Sequence, residues 1–368
     1  MTEYTTAIIG TGRVGSQFDF VPKHPDNHAD AIAVSKNFNL VAGVNRGREN
    51  LEAFGLRHGI DALYHDYLQM LEEIGPDLCI IATHPELHRD MVVGCASVPT
   101  TRAIICEKPM ALSLEECDAM IDACSKSGVL LQINHNRRWG SQWMKIKELV
   151  DNGAIGELNH IYCYMDGGKP APWWRSENEG PLLHDFTHYF DLLELYAGEV
   201  DWLCGMAEQR RRPWAVEDFS AAFIKFESGV TALVSGTELT EYEDAGMELR
   251  GSTGVIRIDG NGLQLFQSQQ DVYEPDSGFQ WSTLKPQELD LPPSNSSYVS
   301  ALEELYEALE GKSSLRSDGV VGRYSLEMVM GIYQSQIEGC RPVKFPVQLK
   351  NSGVEELRSM QQFVDKAD

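Results

Sequence analysis

The chain has 368 residues, 42% hydrophobic and 9% aromatic, with 31 Lys+Arg against 55 Asp+Glu and a formal net charge of −24. Phosphate backbones and anionic membranes recruit proteins through Lys and Arg clusters, so so acidic a chain is a poor nucleic-acid or lipid binder. The length suits two domains, no run approaches the ~18 apolar residues of a membrane span, and MTEYTTAIIG enters a strand without a basic leader, so a soluble cytoplasmic protein is expected.

Residues 1–135 alternate short β-branched runs with amphipathic stretches, the pattern of βαβ units in a parallel sheet. Strands are predicted at 5–10, 40–45, 77–83, 103–107 and 129–134. Ser113-Leu-Glu-Glu116 is a capping box that opens a helix ending at Ser127-Gly128. The stretch 16–27 carries Pro22 and Pro25, so the first crossover is not one uninterrupted helix. From residue 156 the period changes to two. Strands predicted at 157–166, 201–209, 219–227, 231–237 and 248–259 follow one another without helices, which indicates a largely antiparallel sheet. Helices are predicted at 182–196 and 320–337, and 273–297, with its prolines and serines, reads as an irregular excursion. The fold class is therefore an α/β Rossmann-type domain at 1–135, followed at 136–368 by an α+β domain with a large, mostly antiparallel open sheet. The eight cysteines form no CxxC pair, and most sit in apolar runs such as DLCIIAT, as reduced thiols in a cytoplasmic protein do.

Gly10-Thr11-Gly12-Arg13-Val14-Gly15 directly follows the first strand. Glycines there permit a tight turn, close approach of a pyrophosphate and packing of a helix start on the sheet. The second strand ends in Asn45 rather than an acidic residue, with Arg46 next. Arg46 either meets a 2′-phosphate, which tilts the cofactor from NAD toward NADP, or points to solvent. Lys108, in Cys106-Glu107-Lys108-Pro109, stands at the carboxyl end of a parallel strand, where ligands bind in doubly wound sheets and where desolvation favours a neutral amine. His184, Asp185 and His188 share one helix face. They read as proton carriers and hydroxyl binders, as a weak metal site, or as satisfied histidines under a loop; no metal is predicted.

Together these residues resemble the glucose-fructose oxidoreductase and inositol dehydrogenase family, Gfo/Idh/MocA, over nearly the whole chain. The resemblance rests on GTGRVG, on Ala82-Thr83-His84-Pro85 with His88, on Glu107-Lys108-Pro109 and on His135-Asn136-Arg137-Arg138-Trp139. It continues through Trp174-Arg175 before the 180–191 segment to Glu338-Gly339-Cys340-Arg341. The resemblance implies hydride transfer between a hydroxyl-bearing carbon of a sugar, polyol or glycoside and a nicotinamide, with an open sheet that mediates homodimers or homotetramers. It places the cofactor against the glycine turn, Asn45, Arg46, Thr83, His84, His88, Glu107, Lys108, Asn136, Arg137, Trp174 and Arg175. Lys108 and His188 become the proton carriers, with Trp174, Arg175, His184 and Asp185 positioning hydroxyls and Tyr164 or Lys169 lining the same cleft. Relatives carry aspartate where this chain has His184, so either the carboxylate is absent or Asp185 supplies it. Two other readings are an NAD-dependent glycosidase or lyase working through transient sugar oxidation, and a non-catalytic nucleotide sensor, which would need no paired proton carriers. The acidic background favours a neutral polyhydroxyl substrate over a sugar phosphate.

Overall fold

A computed structural model describes residues 3–17, 24–167, 178–274 and 279–366, with side chains described outside 270–281. The chain divides into two compact units, Met1–Gly140 with Ser294–Leu326, and Ser141–Pro293 with Glu327–Asp368.

The first unit holds β1 (Tyr4–Ile9), β2 (Phe38–Val44), β3 (Leu63–Tyr64), β4 (Leu78–Ile81), β5 (Ala103–Cys106) and β6 (Leu130–Ile133). They form a six-stranded sheet in the order β3-β2-β1-β4-β5-β6, with every pairing parallel. Every residue of β4 and β5 is buried, as strands covered on both faces require, which is why their sequences run apolar without alternation. The order reverses between β1 and β4, the switch point at which open α/β sheets bind ligands. Ser113 caps the helix Leu114–Ser127 by accepting from the Glu116 amide, and Glu116 reaches back to the Leu112 amide. Gly128 closes that helix at φ 69°, a left-handed turn in which glycine bears no Cβ strain. The described part of the first crossover holds a π-helical turn Arg13–Gln17 and, after Pro25, a helix His28–Val34. A late segment returns to this unit: Tyr298, Leu302 and Leu305 of the helix Ser297–Leu309 join Ile8, Phe38 and Ile80 in one core.

The second unit holds β7 (Leu158–Asp166), β8 (Val200–Glu208), β9 (Phe219–Phe226), β10 (Thr231–Thr237), β11 (Asp244–Gly251), β12 (Gly254–Asp259), β13 (Gly262–Glu274), β14 (Phe279–Gln287) and β15 (Val343–Lys344). Their nine-stranded sheet runs β14-β13-β12-β11-β7-β10-β9-β8-β15 and is antiparallel except where β10 meets β7. Two sequence expectations are corrected. The strand expected at 248–259 is a hairpin of β11 and β12, because Ser252 and Thr253 turn the chain between them. The excursion expected at 273–297 contains β14, whose Pro286 is tolerated because β14 lies at the sheet edge, with β13 its one neighbour.

Alternation along β10 buries Ala232 and Val234 and leaves Leu233 42% exposed. On the buried side, a Cβ on Gly236 would stand 2.1 Å from the Phe186 ring, so glycine there makes room for the aromatic cluster of Phe186, Tyr189 and Phe190. That cluster roots the turn carrying His184 and Asp185. Gly236→Ala should therefore cost about 1–3 kcal/mol by overpacking, read as a lower urea midpoint; an unchanged midpoint would show that Phe186 is free to yield.

Candidate functional site

In the first unit the site is built on the glycine turn after β1. Gly10 adopts φ 101°, and a Cβ there would meet the Ala82 carbonyl oxygen at 2.4 Å. A Cβ on Gly15 would lie 2.0 Å from the Gly10 carbonyl oxygen. Both positions thus need glycine for packing. Gly12 differs: its Cβ would meet nothing within 4 Å, so the backbone there lines open space. Beside it Thr11 is buried, and its Oγ1 has no hydrogen-bond partner among the described residues. An open glycine cradle beside an orphaned buried hydroxyl fits a dinucleotide pyrophosphate. Arg13 is exposed and Val14 half-buried at the start of the following turn.

Asn45 follows β2 half-buried, and its amide donates to the Gly47 carbonyl at 2.9 Å. Arg46 is exposed, whereas the neighbouring Arg48 is engaged by Glu52 at 2.6 Å. After β4, Thr83 is half-buried and His84 is exposed at the start of a 3-10 turn. His88 is fully buried: Nε2 lies 3.1 Å from the Thr83 carbonyl and Nδ1 3.1 Å from that of Pro109. Burial holds its pKa below the usual histidine value against the opposing pull of these carbonyls, and the ring sits between the end of β4 and the Lys108 turn.

Glu107 is the centre of this unit's polar core. Nε2 of His28 lies 2.8 Å from its Oε1, and the Asn134 amide donates to the same oxygen at 2.6 Å. The backbone N–H of Lys108 donates to Oε2 at 3.3 Å. Burial pushes the Glu107 carboxyl up. The hydrogen bond and charge of His28, the Asn134 amide and the Lys108 charge outweigh that and hold it below the ordinary range. Tyr298 stacks edge-on against His28 at 4.9 Å, closing the cluster from the late helix. Asn136 and Arg137 follow half-buried on a 3-10 turn, and Arg138 donates to the Arg316 carbonyl at 3.0 Å. His28 and Asn134 escaped sequence reading, because a partner 79 positions away leaves no local signature.

In the second unit, residues 182–186 form a π turn that continues into the helix Thr187–Ala197. The sequence predicts one regular helix here; the π turn brings His184 Nε2 to 4.0 Å from Asp185 Oδ1. Asp185 is 8% exposed, and His184 and His188 are half-buried. Two carboxylates that sequence reading missed hold this turn. Glu217 is fully buried and accepts from the Leu182 amide at 2.9 Å and from the Tyr333 hydroxyl at 3.1 Å. Glu179, 3% exposed, lies 2.9 Å from His184 Nδ1. Tyr164 lies half-buried on β7, its hydroxyl pKa raised by burial and by the nearby acidic groups led by Asp244. Lys169, Trp174 and Arg175 lie outside the described residues.

A switch-point glycine turn, a strand-end lysine braced by a buried carboxylate, and a histidine-bearing turn over an antiparallel sheet define a dinucleotide-dependent oxidoreductase. The chain belongs to the Gfo/Idh/MocA family: residues 4–135 match its NAD-binding Rossmann oxidoreductase domain and 143–257 its C-terminal domain. It is 26% identical over 260 residues to myo-inositol 2-dehydrogenase of Thermotoga maritima, covering 68% of this chain and 74% of that one. It is 27% identical over 259 residues to the NAD+-dependent scyllo-inositol 2-dehydrogenase of Bacillus subtilis, covering 68% and 72%. The fold matches that of aldose-aldose oxidoreductase from Caulobacter crescentus, complexed with glycerol, with TM-score 0.78 at 22% identity over 93% of this chain and 100% of that one. An Agrobacterium radiobacter oxidoreductase in complex with NAD+, L-tartaric acid and magnesium gives 0.75 at 23% identity, over 93% and 98%.

His28→Ala would strip the buried Glu107 of a partner and should cost about 3–5 kcal/mol in urea unfolding; a cost near zero would show that His28 is dispensable to the cluster. Because the folded Glu107 value lies below its unfolded value of 4.5, the stabilisation is fully present above that pH. It is lost as pH falls through the folded value. Glu107→Gln should accordingly lie below wild type in stability at neutral pH and converge on it in acid, a trend followed by thermal melts across pH.

Proposed function

We propose that the protein is an NAD(P)-dependent dehydrogenase that moves a hydride between a hydroxyl-bearing carbon of a sugar, polyol or glycoside and the nicotinamide. The observation that carries this reading is the Lys108 turn, locked to a buried Glu107 in the same unit as the open Gly12 cradle. The inositol dehydrogenases among its relatives support the substrate class.

Gly10, Thr11, Gly12, Arg13, Val14 and Gly15 would hold the pyrophosphate, with Asn45 and Arg46 at the adenosine end. Thr83, His84, His88, Glu107, Asn136 and Arg137 belong to the cofactor side, joined there by Trp174 and Arg175. When bound, the nicotinamide accepts the carbinol hydride. The chain's own part is the proton: as the alcohol becomes a carbonyl, its hydroxyl proton passes to Lys108 or His188 acting as base. His184 and Asp185 orient the remaining hydroxyls. The exposed Arg46 in place of an acidic residue leans the preference toward NADP.

The protein is further proposed to be a cytoplasmic homo-oligomer. None of the eight cysteines is in a disulfide, as a reducing compartment keeps them, and no helix of the described residues is long and apolar enough to cross a membrane. Tyr162, Leu233 and Phe223 pair in one row across β7, β10 and β9 and are 40%, 42% and 37% exposed. A contiguous apolar row on an uncovered sheet face suits a second copy of the chain.

Lys108→Met should lower kcat at saturating cofactor by about 10²-fold or more; turnover near wild type would remove Lys108 as a proton carrier. Arg46→Ala should weaken NADPH at least about tenfold while sparing NADH, measured by fluorescence titration; equal losses for both nucleotides would contradict the 2′-phosphate role. Phe223→Glu with Leu233→Lys should yield monomers by light scattering, and an unchanged mass would place the interface elsewhere.

A further inference from the structure

The residue that follows β2 is held by the segment that follows β3. The Asn45 N–H donates to the Tyr64 carbonyl at 3.0 Å, and in return Nδ1 of His65 lies 2.9 Å from the Asn45 carbonyl oxygen. A carbonyl only accepts hydrogen bonds, so Nδ1 carries the proton and the tautomer of the neutral ring is fixed. The outer nitrogen, Nε2, is then a lone pair in the neutral ring and an N–H donor in the imidazolium. No second hydrogen bond or ion pair engages this ring among the described residues, and His65 is exposed.

The residues on either side anchor His65. The Tyr64 hydroxyl donates to Glu73 Oε2 at 3.0 Å, and Asp66 Oδ1 accepts from the Leu68 amide at 2.9 Å, capping the helix Tyr67–Ile74. The charged and titratable groups on the elements packed against β3 are Arg46, then Arg48, Glu49, Glu52, Arg57 and His58 on the helix Arg48–His58, Asp61, Tyr64 and Asp66 on the strand and its flanks, and Tyr67, Glu72 and Glu73 on the helix after it. Arg48 pairs with Glu52 and Arg57 with Asp30. Arg46 and His65 are the exposed cationic or titratable side chains that directly follow β2 and β3, joined through Asn45.

In doubly wound folds the end of the second strand meets the adenosine ribose, where an acidic residue accepts from the 2′-hydroxyl of NAD or an arginine meets the 2′-phosphate of NADP. Asn45 supplies no carboxylate, and its side-chain amide is engaged by the Gly47 carbonyl. We propose that His65 reads the 2′ position of both cofactors and makes the choice between them depend on pH. This rests on the cofactor assignment above, which puts Asn45 and Arg46 at the adenosine end. With the ring protonated, Nε2–H donates to the 2′-phosphate beside Arg46 in a charge-assisted hydrogen bond. With the ring neutral, the Nε2 lone pair accepts from the 2′-hydroxyl of NAD and opposes the phosphate as one acceptor opposes another. Binding of NADP to the neutral ring therefore takes up a proton, and binding of NAD does not.

In the full-length protein, His65→Asn keeps an amide donor for the Asn45 carbonyl and lacks the outer nitrogen. Dissociation constants for NADPH and NADH would be read by fluorescence titration at about pH 6 and about pH 8, the range in which histidine changes charge. In the wild type the ratio of the NADPH constant to the NADH constant should rise about tenfold between the two. The phosphate's own second ionisation, near about pH 6, acts in the opposite sense, since it adds negative charge as pH rises. In His65→Asn the ratio should therefore stay level or fall. Calorimetry of NADPH binding at about pH 7.5, where the phosphate is already a dianion, in two buffers of different ionisation enthalpy should show proton uptake by the wild type. That uptake should be absent in His65→Asn and absent with NADH. A level ratio in the wild type, or the same rise in His65→Asn, overturns the role of His65 while the cofactor assignment stands. Binding of NADH with no binding of NADPH at either pH does the same. If neither nucleotide binds, the cofactor assignment fails and the role of His65 with it.

Discussion

A single buried carboxylate sets the geometry of the first unit. Glu107 takes hydrogen bonds at one oxygen from His28 and Asn134 and at the other from the Lys108 amide, so three segments distant in sequence converge on it. A carboxylate without such partners would be held neutral by burial; with them it stays charged, and the lysine that follows is presented from a fixed turn. The placement of the turn is reinforced from β4, where His88 reaches from the Thr83 carbonyl to that of Pro109. The Lys108 backbone is therefore fixed at a strand end, as the proposed proton transfer would require.

The second unit solves the same problem with the same chemistry. Its histidine turn departs from α geometry at 182–186, and such π turns cluster at functional sites because they re-aim side chains that a regular helix would place elsewhere. The departure is held by the fully buried Glu217 at the Leu182 amide and by Phe186 seated over Gly236. In both units a buried acidic group fixes the backbone beside a titratable residue. The net charge of −24 says nothing of this, since these two acidic residues are spent inside the molecule.

What could be read from sequence was what local physics encodes. The apolar run of β1 followed by three glycines is decided by hydrogen bonding, φ and close approach within a few residues, and the structure returns it intact. The capping box at Ser113 and the stop at Gly128 are equally local. The alternation in β9 and β10 identified strands because one face of that sheet is buried and the other is not. What escaped depends on distant chain. Glu179 and Glu217 carry no motif, and their role appears when the fold sets them against His184 and Leu182. The edge strand β14 was hidden by Pro286, since a missing N–H matters in mid-sheet and not at a rim. The hairpin at Ser252 was hidden because two strands of equal period read as one when the turn lacks glycine at its centre.

The central claim, that this chain binds a nicotinamide dinucleotide and uses it to oxidise a polyhydroxyl carbon, is tested most directly by one titration. NADH and NADPH fluorescence would be followed on addition of protein, and the same preparation then given NAD+ or NADP+ with inositols, aldoses and glycosides. Saturable binding of at least one nucleotide, with its reduced form accumulating on at least one polyol, is the predicted result. Failure of both nucleotides to bind would contradict the claim at its root, and binding with a glycoside cleaved but no net reduction would contradict its chemistry.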